Sequence, residues 1–129
     1  MLLHLSPSRS INDPWTAFNK TFPYLKVEFY TKTGRDFRKV MLPHTITLKN
    51  AGLRKSGSVE LNTNMRVAEF ESLLKEKFGL NAQVLRRSGR LWLETTFTDN
   101  WTLEQQNNHG RELSEPIVHK AIREETDDN

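Results

Sequence analysis

Residues 64–106, NMRVAEFESLLKEKFGLNAQVLRRSGRLWLETTFTDNWTLEQQ, hold the pattern that decides the fold. Val67, Phe70, Leu73, Leu74 and Phe78 recur at helical spacing and form one apolar stripe. Glu69, Glu71, Lys75, Glu76 and Lys77 occupy the remainder, with Glu71 and Lys75 spaced for a supporting i,i+4 pair. Thr63 or Asn64 is placed to cap the start, and Gly79 suits the left-handed position that ends a helix. The pattern predicts a core helix with a solvated, charged back. Residues 82–87 and 91–97 follow as strands, joined through Ser88, Gly89 and Arg90. On the second of these, Leu91, Leu93, Thr95 and Phe97 share one face, and Trp92, Glu94 and Thr96 the other. Thr102 and Gln105 then have capping-box spacing, so a short helix is expected to follow and to stop by Gly110.

Working outward, Leu25, Val27 and Phe29 alternate with Lys26, Glu28 and Tyr30, the period-two signature of a half-buried strand. Gly34 supplies a turn, residues 37–42 form a returning strand with apolar residues on both faces, and Pro43 ends it. Residues 45–48 are β-branched and strand-like, 50–57 read as a loop, and 58–61 as a further short strand. Residues 1–20 read as a flexible N-terminal arm, because Pro7 and Pro14 push the residues before them toward extended conformations. Trp15 and Phe18 are expected to pin that arm to the edge of the core. The domain organisation is therefore an arm at 1–20, a single α+β domain at 21–113, and a C-terminal extension at 114–129. The extension is read as a last helical turn from Pro116 and a disordered acidic tail from Glu124 to Asp128.

A strand pair, a helix crossing the sheet and a further strand pair give an order that, over about residues 24–97, resembles a β-grasp, or ubiquitin-like, module. The resemblance implies a two-layer α+β sandwich, with a mixed sheet packed by one main helix. A generic α+β sandwich is the competing architecture. The chain departs from ubiquitin in an insertion-like segment at 43–56 and in ending on Asp127, Asp128 and Asn129 instead of a diglycine. Conjugation as a modifier is therefore not implied.

Composition narrows the function classes. The chain has no cysteine, which removes disulfides, thiolate metal sites and thiol nucleophiles, and fits a reducing cytoplasm. No apolar run approaches the roughly 20 residues of a membrane span, and residues 1–5 are too short for the core of an export signal. The net charge of +3 is unevenly placed: residues 1–56 carry 10 Lys/Arg against 3 Asp/Glu, and the remainder 9 against 13. The first half is thus suited to an anionic partner, or to pairing with the second half.

No segment has the residue types and spacing of a catalytic or metal site. No serine sits in a nucleophile elbow, and His4, His44, His109 and His119 are scattered. His109 is placed as a cation near a helix end, where it complements the dipole. Glu94 and Asp99 are a lone carboxylate pair, and no glycine-rich turn leads into a helix N-terminus. No enzyme activity, metal or cofactor is expected. A binding surface is. Lys26, Lys32, Arg35 and Arg38 lie within the basic half, Arg86, Arg87 and Arg90 decorate the hairpin, and alternation places Tyr30 and Trp92 on the outward sheet face. Cations that follow phosphates, interleaved with rings for base stacking, are how single-strand binders work, although Glu28 and Glu94 would oppose phosphate. The leading expectation is a non-enzymatic binding or adaptor domain for a protein partner, with nucleic-acid binding through the basic half and the 86–90 hairpin as the alternative.

Overall fold

The computed structural model describes residues 1–35 and 37–115, and the Pro116 turn and acidic tail lie outside that range. The sheet is built around β2 (Leu25–Thr33), whose Leu25, Val27 and Phe29 are buried while the alternate residues are not. β2 pairs with β3 (Arg38–Met41) on one side and β5 (Ala82–Ser88) on the other, and β5 pairs with β6 (Leu91–Glu94). The order is β3-β2-β5-β6 and every pairing is antiparallel. The mixed sheet expected from the β-grasp resemblance is therefore corrected: β2 and β5 run in opposite directions at the centre. The broader expectation, an α+β fold with helices packed on a sheet, holds.

The first 20 residues are not an arm. β1 (Leu2–Leu5) pairs antiparallel with β4 (Gly57–Glu60) in a separate two-stranded sheet, and α1 (Asn12–Thr21) follows. Leu3, Leu5, Ile11 and Phe18 are buried members of the core. Pro14 lies in the first turn of α1, where its missing amide costs no helical hydrogen bond. Residues 45–48 do not form a strand either. Thr47 instead caps the single-turn helix α2 (Leu48–Ala51), its Oγ1 accepting from the Asn50 amide.

α3 (Val67–Phe78) lays Val67, Phe70, Leu74 and Phe78 into the core, where the Phe70 ring stacks on Phe18 at 5.2 Å. Its end is as expected, with Gly79 at φ 77°. Its start is not, since neither Thr63 nor Asn64 caps it. The Val67 amide donates to the Trp101 carbonyl and the Ala68 amide to that of Asp99, so backbone from a distant turn satisfies the first free amides.

β6 stops at Glu94, short of the expected strand to residue 97. Residues Thr96–Thr98 form a 3₁₀ turn that leaves Phe97 fully exposed, while Thr95 is buried with its hydroxyl on the Val84 carbonyl. α4 (Leu103–Ser114) starts with the expected capping box between Thr102 and Gln105. It does not stop at Gly110. That residue is buried inside the helix where a Cβ would meet the Tyr24 Cβ at 2.9 Å, so glycine lets α4 approach the sheet closely. His109 consequently sits mid-helix, edge-on to Trp101 and 3.7 Å from Glu112, and not at a helix end.

Candidate functional site

One sheet face carries the core, and the other carries the candidate site. Phe18, Phe70, Leu74 and Leu103 from the helices all join Leu25, Val27, Phe29 and Val84 in one buried cluster. The opposite face is made by Lys26, Glu28, Tyr30 and Lys32 of β2, their β3 neighbours Met41 and Lys39, and Gln83, Leu85, Arg87, Trp92 and Glu94 across β5 and β6. Apart from Gln83, these residues are half-buried or exposed.

Both rings on this face already hold cations. The Lys26 ammonium lies 4.9 Å from the centre of the Trp92 ring, and the Lys39 ammonium 4.9 Å from that of Tyr30. Lys39 also donates to Gln83 Oε1 at 2.9 Å. Burial, and then the charges of Glu71 and Glu94, hold the Tyr30 hydroxyl above its ordinary pKa, so the ring stays neutral. Arg87 is exposed, with Nε donating to the Gly89 carbonyl.

Glu28 does not oppose an anion as its sequence position suggests. Its carboxylate accepts from Trp15 Nε1 at 3.2 Å, lies 2.8 Å from His44 Nε2, and is 3.5 Å from the Lys26 ammonium. With its side chain 12% exposed, this charge is spent inside the fold. Glu94 remains exposed.

Of the nine residues singled out from the sequence, Lys26, Tyr30, Lys32, Arg87 and Trp92 share this face. Arg35 and Arg90 sit in the turns that follow β2 and β5, and Arg38 lies opposite Thr33 on the other face. Arg86 is a correction. It points to the helix side, where Nη1 donates to Gln106 Oε1 at 2.8 Å and the side chain packs against Gly110. Burial lowers its pKa. Its replacement by alanine would strip this α4–β5 contact as well as a charge.

Trp15, His44, Glu71 and Gln83 were not legible as site residues. Glu71 does not pair with Lys75 on a solvated back; it accepts the Val84 amide at 2.8 Å. That amide is free because β6 ends before reaching it, and position 71, four after Val67, borders the apolar stripe. Glu71, Lys75, Tyr30, Lys39, Gln83 and Asp99 line a cleft of about 220 Å³ at the edge of the face. Burial pushes the Glu71 carboxyl up to about 7 from an ordinary 4.5; Asp99 and Glu94 add to the rise, while the Val84 amide and Lys39 oppose it.

The native state thus holds a proton that the unfolded chain loses between about pH 4.5 and about pH 7, and stability falls as pH rises through that window. Glu71→Gln keeps an acceptor for the Val84 amide and removes the charge. Its urea midpoint is expected to drop less than that of the natural chain between roughly pH 5 and roughly pH 8. An unchanged drop would assign the titration to another group.

Among the described residues, no three His, Asp or Glu side chains gather closely enough to hold a metal ion, and no helix is long and apolar enough to cross a membrane. The sequence matches no protein-family model, and comparison with curated proteins and with solved structures gives no match.

Proposed function

We propose that this protein is a binding module whose open sheet face takes single-stranded nucleic acid, the Trp92 and Tyr30 rings stacking on bases and Lys26, Lys32, Lys39 and Arg87 meeting phosphates. The observation that carries this is the shared placement of two rings and several cations on one half-exposed antiparallel face, where Lys26 and Lys39 move off the rings as bases stack. Stacking is tolerant of sequence because every base has a π-face, so affinity without strong base preference follows. Glu28 is largely buried, accepting from Trp15 Nε1 and lying against His44, which limits its repulsion of the backbone. The cleft beside Tyr30 adds amide and carboxyl groups that suit the edge of a base.

Salt dependence tests it. With four cations on phosphates, the plot of log affinity against log salt has an expected slope of about −3, a loss of roughly fiftyfold for each fourfold rise in salt. Fluorescence anisotropy of a labelled mixed-sequence single strand reads this. Absence of binding at low salt would overturn the proposal.

The protein-partner reading draws instead on the exposed Leu91, Leu93 and Phe97. For the fold, we retain the β-grasp likeness as a proposal about element order; it is supported by the β2-β3 pair, α3 packed on the sheet and the β5-β6 hairpin, with α2 and β4 standing between β3 and α3.

A further inference from the structure

Among the described residues, the outer edge of β6 is a strand edge without a partner. β6 is last in the sheet order, and among the described residues no backbone group outside β5 bonds to residues 91–94. The directions of its peptide groups follow from the ladder. The Arg87 amide donates to the Tyr24 carbonyl on the β2 side, so Arg87 and Trp92 form a non-hydrogen-bonded pair within the hairpin. In antiparallel pairing these positions alternate, so the amide and carbonyl of Trp92, and those of Glu94, point away from β5 into the open edge. Natural edges are usually blunted by short length, charged side chains, proline or a bulge, and of these β6 has its 4-residue length and Glu94. Here the strand reads Leu91, Trp92, Leu93, Glu94, with Leu91 67% and Leu93 42% exposed.

The sequence of this edge is complementary to its own reverse. Arg90, Leu91, Trp92, Leu93 and Glu94 place a cation and an anion symmetrically about a central tryptophan. We propose that a second copy of this chain pairs with β6 antiparallel about Trp92, joining two four-stranded sheets into one. Trp92 faces Trp92 of the partner copy as a hydrogen-bonded pair, the type that its outward peptide groups require. Arg90 then meets Glu94 of the other copy on one face, twice by symmetry, and Leu91 meets Leu93 on the other. Such an interface is isologous and closed, so it stops at two copies. It also occupies Glu94, the carboxylate left exposed on the ligand-binding face, and makes the two faces continuous. The pairing itself stands on the edge alone and needs no ligand.

The test is a charge swap followed by sedimentation of the ligand-free protein. The natural chain is expected at twice its 15.1 kDa mass, with a concentration-dependent equilibrium. Arg90→Glu and Glu94→Arg each set like charges opposite one another at both symmetric pairs, and each is expected to weaken dimerisation by about tenfold or more. An equimolar mixture of the two variants restores both attractions, and so does the double variant Arg90→Glu/Glu94→Arg within one chain. Recovery of the dimer in both samples supports the proposal. A natural chain that stays monomeric to high concentration overturns it. So do single variants that dimerise as well as the natural chain, or a mixture and double variant that remain monomeric. The double variant carries the same two residues exchanged, so its dimerisation shows that the substitutions are compatible with the fold.

Discussion

Phe70→Ala is expected to lower the unfolding free energy by about 3–5 kcal/mol, the range for deleting a fully buried aromatic side chain. Phe70 is 0% exposed, and its ring lies nearly parallel to Phe18 at 5.2 Å, with 21° between the planes. Removing it therefore costs the transfer energy of the ring, the cavity left behind and the stacking with α1. Urea unfolding with an unchanged slope is the measurement. The size of the effect also decides whether the N-terminal residues belong to the core, because the ring that Phe70 meets comes from residue 18. A loss well under about 1 kcal/mol would mean that α1 and α3 do not meet in this way.

The second large effect is on binding. Replacing both Trp92 and Tyr30 by alanine is expected to weaken a single strand by about thirtyfold or more, since each stacked base contributes roughly 1–3 kcal/mol. Neither side chain belongs to the core cluster, so the fold survives the change and far-UV circular dichroism stays that of the natural chain. Anisotropy titrations against the same oligonucleotide read the ratio. Affinities within about twofold of the natural chain would remove the rings from the interface and leave a purely electrostatic contact.

The parts of the fold carried by local pattern were legible in the sequence. The stripe from Val67 to Phe78, the alternation at 25–30 and the Thr102–Gln105 box each signal their element within a few residues. What escaped was non-local. β1 is only 4 residues long and its partner β4 lies more than 50 positions away, so Leu3 and Leu5 gave no periodic signal. Pro14 reads as a helix breaker unless it is known to stand in the first turn. The start of α3 carries no side-chain cap because carbonyls of Asp99 and Trp101 do that work from the far side of the hairpin.

The site divides along the same line. Strand alternation alone places Lys26, Tyr30 and Trp92 on one face. Arg86 is the exception that shows the limit. Its neighbour Arg87 faces outward, so alternation puts Arg86 inward, yet only the close approach of α4 at Gly110 explains how a guanidinium is held there. The engagement of Glu28 depends on Trp15, Lys26 and His44 converging on it from α1, β2 and the turn after β3. Glu71 was misplaced because the amide it serves is exposed by the early end of β6.

The most direct measurement is a chemical-shift map of the ¹⁵N-labelled protein titrated with a short single strand. The Trp92 indole signal and amides around Lys26, Tyr30, Lys39 and Arg87 are expected to move, with the Gln105 to Glu112 surface of α4 unmoved. Shifts confined to α4, or spread evenly over both faces, would contradict binding at the open sheet face.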